Sequence, residues 1–250
     1  MKSLIVFFHS TVGKKIIMAV TGMVLIGFLI GHAAGNLKLF EGVDTSTGIY
    51  HIDKYAEALR QLGGDLAGPT RVLWGVRIAL LLCVILHVTC AMQLTRRSQQ
   101  ARPVGYHRQG FLSATVASRT MAVGGMVISL FIVFHILHFT TGTVHFANFR
   151  EGAVYANVYN GFSSWQAVLI YVVALTAIAM HLYHGAWSMF QTLGMDSPQW
   201  NTFLRQGAKL LALGLWITFL SVPLAVFFGF LEPPLAQHKV TVTQDDSIPG

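Results

Sequence analysis

Five stretches of this chain are each long and apolar enough to cross a bilayer, which takes roughly 20 apolar residues. They run approximately over 16–37, 72–94, 120–144, 164–190 and 208–231. Only 11% of the 250 residues are charged, against about 25% in a soluble domain, and mean hydropathy is +0.58. Nearly all of that deficit lies in the five stretches. The sequence predicts an all-α integral membrane protein, with one helical domain over residues 1–231 and a polar, Pro-rich tail over 232–250.

Five spans put the termini on opposite sides. One side collects Lys2, Lys14, Lys15, Arg96, Arg97, Arg102, Arg108, Arg119, Arg205 and Lys209, with Asp196 as its only acid. The other side holds the remaining acids and fewer bases: Lys38, Lys54, Arg60, Arg71, Arg77, Arg150 and Lys239. The positive-inside bias predicts a cytoplasmic N-terminus and an external C-terminus in the inner (cytoplasmic) membrane. A net charge of +7 therefore reflects orientation in a lipid bilayer and not a nucleic-acid partner. The start "MKSLIVFFHSTVGKK" lacks a small-residue cleavage site, so no cleaved signal peptide is expected. Cys83 and Cys90, seven residues apart on one helix, are about 10 Å from each other, too far for an internal disulfide. "HIDKYAEALRQLGG" (51–64) reads as a short amphipathic helix near the outer surface, stopped by Gly63 and Gly64. The basic loop "RRSQQARPVGYHRQG" suits anionic headgroups or an acidic partner subunit.

Histidine gives the spans their chemistry. The first four carry His32, His87, His135 with His138, and His181 with His184; the fifth carries none. Ionisable groups inside a membrane are costly and mark functional sites. For one histidine alone, a hydrogen bond to a neighbouring helix is an equally good account, but four helices sharing the feature need more. His32 and His135 come late in outward spans and His87 and His181 late in inward ones. This places two pairs at two depths, separated by roughly 10–20 Å.

Two imidazoles facing each other at one depth suit a haem iron with two axial ligands in a helical bundle. Zinc wants four ligands at one point, and no Asp or Glu lies in the first four spans. "GMVLIGFLIGH" and "GMVISLFIVFH" each place a Gly ten residues before a His (Gly22 and His32, Gly125 and His135). Ten residues is about 15 Å, so Gly22 and Gly125 fall near the inner pair, where small residues clear room for a porphyrin or simply let helices pack. Gly31, Ala33, Ala34 and Gly35 offer the same room beside His32. The repeated spacing favours His135 over His138; between His181 and His184 it leaves the choice open. His138 and His184, one turn nearer the surfaces, are candidates to bond a haem propionate or a quinone. Arg77, about 15 Å outward of His87, is a candidate propionate partner or a snorkelling cation.

In these residues the chain resembles the membrane-anchor cytochrome b subunit of succinate dehydrogenases and fumarate reductases, in its single-subunit, five-helix, dihaem form. "FFHSTVG", "TGMVLIGFLIGHAAGN", "ILHVTCAMQL", "GGMVISLFIVFHILHF" and "MHLYHGAWSMFQTLG" carry the resemblance in order along nearly the whole chain. It implies four axial ligands at His32, His87, His135 and His181, the first paired with the third and the second with the fourth. It further implies two haems b, a quinone (often menaquinone), and a flavoprotein and an iron–sulfur subunit docked on the cytoplasmic side. The chain would pass electrons within a respiratory enzyme while holding no dicarboxylate chemistry itself. Some dihaem fumarate reductases carry a Glu two residues before the fourth ligand for proton transfer; here that position is Ala179.

Quinone-site candidates are His51, Asp53, Tyr55 and Glu57 on the outer side, and His9, Ser10, Lys14 and Arg97 on the inner. Two other readings stay open from sequence. One is a dihaem subunit of a nitrate reductase, formate dehydrogenase or hydrogenase; the other is a haem-free transporter or scaffold.

Overall fold

The computed structural model describes residues 2–101, 116–145, 147–195 and 197–235, with the side chains of 2–5, 66–67 and 116–120 left aside. The side chains of Lys2, Arg102, Arg108, Arg119 and Asp196, and the tail beyond Leu235, lie outside the described residues. In chain order the helices are α1 Lys2–His9, α2 Thr11–Leu37, α3 His51–Gln61, α4 Gly64–Ala67, α5 Arg71–Gln100, α6 Val116–Phe139, α7 Val154–Phe162, α8 Trp165–Thr192 and α9 Pro198–Phe227. A 3-10 turn, Lys38–Glu41, follows α2. Helices α2, α5, α6, α8 and α9 are long and apolar enough to span a membrane. The protein is a multi-pass helical membrane protein.

The helix ends follow local chemistry. Ser10 caps α2, its Oγ accepting from the Gly13 amide at 2.9 Å. Ser197 caps α9 in the same way, with Pro198 just inside the helix. That start signal carries α9 through the polar run 198–207, ten residues before the apolar block at 208. The third span ends at Phe139, not at 144. The Thr140 and Thr141 amides turn back to the Ile136 carbonyl, and Gly142 follows at φ +71°, where an added Cβ would strike Phe149. The amphipathic segment at 51–64 is α3, ended by Gly63 at φ +69°.

Among the described residues, α8 packs closely on α9, α2 on α5 and α6 on α8, while α2 also leans on α8 and α9. Neither α2 with α6 nor α5 with α8 makes a comparable backbone contact. The core is built mainly from α8 and α9, through Ala167, Tyr171, Leu175, Leu182, Leu215 and Phe219. Both cysteines are free, Cys90 buried and Cys83 half-buried.

At the end of the bundle opposite the α2 N-terminus, the 3-10 turn, α3 and α7 form a roof. The Tyr50 and Tyr155 rings stack with centroids 3.7 Å apart and planes within 7°. The Tyr155 hydroxyl donates to the Glu232 carbonyl at 2.8 Å, and the Leu235 amide donates to the Tyr50 hydroxyl at 2.9 Å, fastening the chain after α9 to the roof. Burial pushes the Tyr155 phenol up to about 12, so it remains a donor at every physiological pH. The roof carries Glu41, Asp44, Asp53 and Glu57, and is called here the acidic side. Lys14, Lys15, Arg96 and Arg97 mark the opposite, basic side.

Candidate haem-ligand pairs

Helix α2 presents Gly22 and, ten residues on, His32; α6 presents Gly125 and, ten residues on, His135. The structure meets each glycine with a histidine from another helix. A Cβ on Gly22 would lie 3.4 Å from Cε1 of His87, and one on Gly125 would lie 3.8 Å from Cε1 of His181. His87 and His181 therefore share a level with Gly22 and Gly125. The helical rise of 1.5 Å per residue sets that level about 15 Å from the level of His32 and His135.

Within each level two imidazoles from different helices come close together. His87 and His181 have centroids 6.2 Å apart with planes at 58°; His32 and His135 are 5.8 Å apart at 82°. An imidazole bonds a first-row metal at about 2 Å, so two rings facing across one metal have centroids about 6 Å apart. Among the described residues, each pair joins helices that pack far less on each other than on their other neighbours: α5 with α8, and α2 with α6. Among the described residues no three His, Cys, Asp or Glu side chains converge. Two nitrogens per site fall two short of a tetrahedral zinc shell, whereas a porphyrin brings four nitrogens of its own.

Ring orientation fits the same donor role. Nδ1 of His87 lies 3.1 Å from the Met18 carbonyl, which can only accept, so Nδ1 carries the proton and Nε2 keeps its lone pair. Thr21 supplies a second acceptor at 3.2 Å, its own hydroxyl proton going to the Ile17 carbonyl at 2.8 Å. Nδ1 of His135 lies 2.8 Å from the Tyr171 hydroxyl. Nδ1 of His181 is buried and has no hydrogen-bond partner among the described residues. His32 is oriented by packing, stacked on Phe28 at 5.4 Å and tilted against Phe219 at 5.8 Å.

The small residues beside His32 serve different ends. A Cβ on Gly35 would lie 2.8 Å from Cε1 of Tyr55, so this glycine admits a roof side chain. Ala33 is buried in the core, and a Cβ on Gly31 would meet nothing within 4 Å. His138 is fully buried in an aromatic box of Phe134, Phe139, Phe162 and Tyr171, with His145 at 5.0 Å. Gly161 of α7 closes that box, for a Cβ there would stand 2.8 Å from Phe139 and 3.1 Å from His138. His184 is half-buried, 6.1 Å from Trp187. Arg77 is exposed with its guanidinium 5.1 Å over Trp74.

The quinone candidates divide by end. On the basic side His9, Lys14 and Arg97 line one open groove of about 460 Å³ with Phe8 and Arg96. Lys14 is only 6% exposed and its ammonium is held by Gln93; Arg97 binds the His9 carbonyl at 2.9 Å. Ser10 is engaged as the α2 cap. On the acidic side, Asp53 accepts from the Tyr155 amide at 2.9 Å and so caps α7. Burial raises its pKa while the Tyr155 and Val154 amides oppose the rise. Tyr55 packs on Gly35. His51 faces Glu41 at 3.6 Å. Glu57 is exposed, and its pKa is lowered by hydrogen bonds from Gln61 and then Arg60.

Sequence reading missed Tyr171, which touches both His135 and His138. The signal was present, for Tyr171 precedes His181 on α8 by the same ten residues that separate the two levels on α2 and α6. No family model, curated protein or solved structure matches this chain.

Proposed function

We propose that this chain is a dihaem cytochrome b membrane anchor of a succinate:quinone oxidoreductase or quinol:fumarate reductase. The observation that carries the reading is a pair of neighbouring histidines, with ring centroids about 6 Å apart, at each of two levels about 15 Å apart along the helices, each joining helices that pack little on each other among the described residues. His87 with His181, and His32 with His135, would hold the two haems b. Haem supplies one-electron transfer across the apolar interior. The chain's own part is to fix ring orientation through Met18, Thr21 and Tyr171, to leave room at Gly22 and Gly125, and to exclude water at the acidic side.

The family resemblance supports the remaining parts of the reading. A flavoprotein subunit and an iron–sulfur subunit dock at the basic, cytoplasmic end, and membrane quinone, menaquinone in many such enzymes, is the other redox partner. His9 and Arg97 at one end, with Lys14 beneath them held by Gln93, and His51 and Glu57 at the other, are the side chains nearest to where a quinone headgroup would sit.

The test is to purify the protein from its native membrane with whatever subunits accompany it and add succinate anaerobically. Reduction of b-type haem, with flavin and iron–sulfur partners present, is the expected result. Haem reduced only by formate, hydrogen or another donor, alongside different partner subunits, would replace this reading with another respiratory enzyme.

A further inference from the structure

We propose that Tyr171 is a positioning and tuning residue for His135, acting on the acidic-side haem alone; the inference rests on the haem reading above. The phenol oxygen lies 2.8 Å from Nδ1 of His135 and 3.2 Å from Nδ1 of His138. A phenol has one proton to give and lone pairs to receive. With His135 bonding iron through Nε2, its Nδ1–H donates to the Tyr171 oxygen, and the Tyr171 O–H donates onward to His138. Successive hydrogen bonds polarise one another, so the onward bond makes the phenol a better acceptor for His135.

Among the described residues, the Tyr171 ring is walled by hydrocarbon. Phe131, Phe134, Phe139 and Phe162 all lie against the Tyr171 ring and offer no polar atom. Tyr171 is itself buried. The basic-side ligands differ. The Nδ1–H of His87 is held by a main-chain carbonyl, with Thr21 as a second acceptor, and Nδ1 of His181 has no partner among the described residues, so no single side chain controls that pair.

An N–H donated to an acceptor raises the basicity of the metal-bound imidazole and fixes the ring. A more basic ligand favours oxidised iron and lowers the potential. Tyr171→Phe keeps the ring and removes the hydroxyl, both the acceptor for His135 and the donor to His138. In a spectroelectrochemical titration of the purified dihaem protein at fixed pH, we expect the reduction equilibrium constant of the acidic-side haem to rise about tenfold, which is about 59 mV for one electron. The basic-side haem should not move. His138→Leu leaves the phenol on His135 but takes away its onward acceptor, and should shift the same haem in the same direction by less. It also carries the test if Tyr171→Phe sheds the haem. Two haems with unmoved potentials in both variants, or equal shifts of both haems, would overturn the proposal. Absence of haem from the unaltered protein would instead remove the functional reading beneath it.

Discussion

The basic-side and acidic-side histidine pairs share one geometry and are held in two ways. His87 is oriented by main chain, through the Met18 carbonyl, and its level lies toward the end where an open groove carries Lys14, Arg96 and Arg97. His135 is oriented by a side chain inside an aromatic box, and that level is roofed by α3, α7 and the Tyr50–Tyr155 stack. Backbone control is indifferent to substitution and leaves little to adjust. Side-chain control can be tuned, and it needs a dry enclosure, because water would compete for the same proton. One pair thus lies toward an open, basic groove and the other beneath the roof.

The hardest way to break the comparison is to delete ligands. His87→Ala or His181→Ala should remove the basic-side haem and leave the other, halving the haem per chain and removing one component of the reduced-minus-oxidised spectrum. His32→Ala or His135→Ala should remove the acidic-side haem. Loss of the same component in all four variants would refute the pairing.

Filling the cradle comes next. Gly22→Val places methyls where a bare Cβ already stands 3.4 Å from His87. Overpacking of this kind costs about 1–3 kcal/mol, and basic-side haem content should fall with the acidic side intact. Gly125→Ala, with 3.8 Å to His181, should be milder, and unchanged basic-side haem content in Gly22→Val would show that the glycines do not shape this level.

The roof tests the enclosure. Asp53→Ala removes the cap on α7, a loss of about 1 kcal/mol, and hydrogen exchange in α7 should rise while the core of α8 and α9 keeps its protection. A smaller effect belongs to Asp44, whose carboxylate accepts from Lys54 at 2.5 Å and from Ser46. Lys54 and Ser46 hold it below the usual carboxylate range. Its contribution is thus complete above the ordinary aspartate pKa and disappears as pH falls through the lowered value. Asp44→Asn should loosen residues 42–50 at neutral pH to the extent that acid does in the unaltered protein, read by exchange or proteolysis, with both histidine pairs undisturbed.

The spans were legible because a bilayer demands long apolar runs, and His32, His87, His135 and His181 stood out because imidazole is costly among them. The ten-residue interval from Gly22 to His32 could be read as depth, since helical rise is fixed. Helix ends were less legible. A hydropathy pattern does not register Ser197 and Pro198 starting α9 in polar sequence, nor Gly142 and Phe149 stopping α6 early. Helix α7 was missed because nine residues with a mixed pattern become a helix here through a distant cap, Asp53. Tyr171 was overlooked for a related reason: its meaning depends on which ring it touches, and contact between α6 and α8 is not written in either helix alone. The Ser10 cap on Gly13 is local, whereas the contacts of Asp53 with Tyr155 and of Tyr55 with Gly35 appear only with the neighbouring helices in place.

The most direct measurement is haem content of the purified chain by alkaline pyridine assay, paired with its low-temperature spectrum. The account predicts two haems b per chain, both low-spin with two histidine ligands, and a single one left in each histidine variant. A protein free of b-type bands, or a full complement of haem surviving His87→Ala and His135→Ala together, would contradict it.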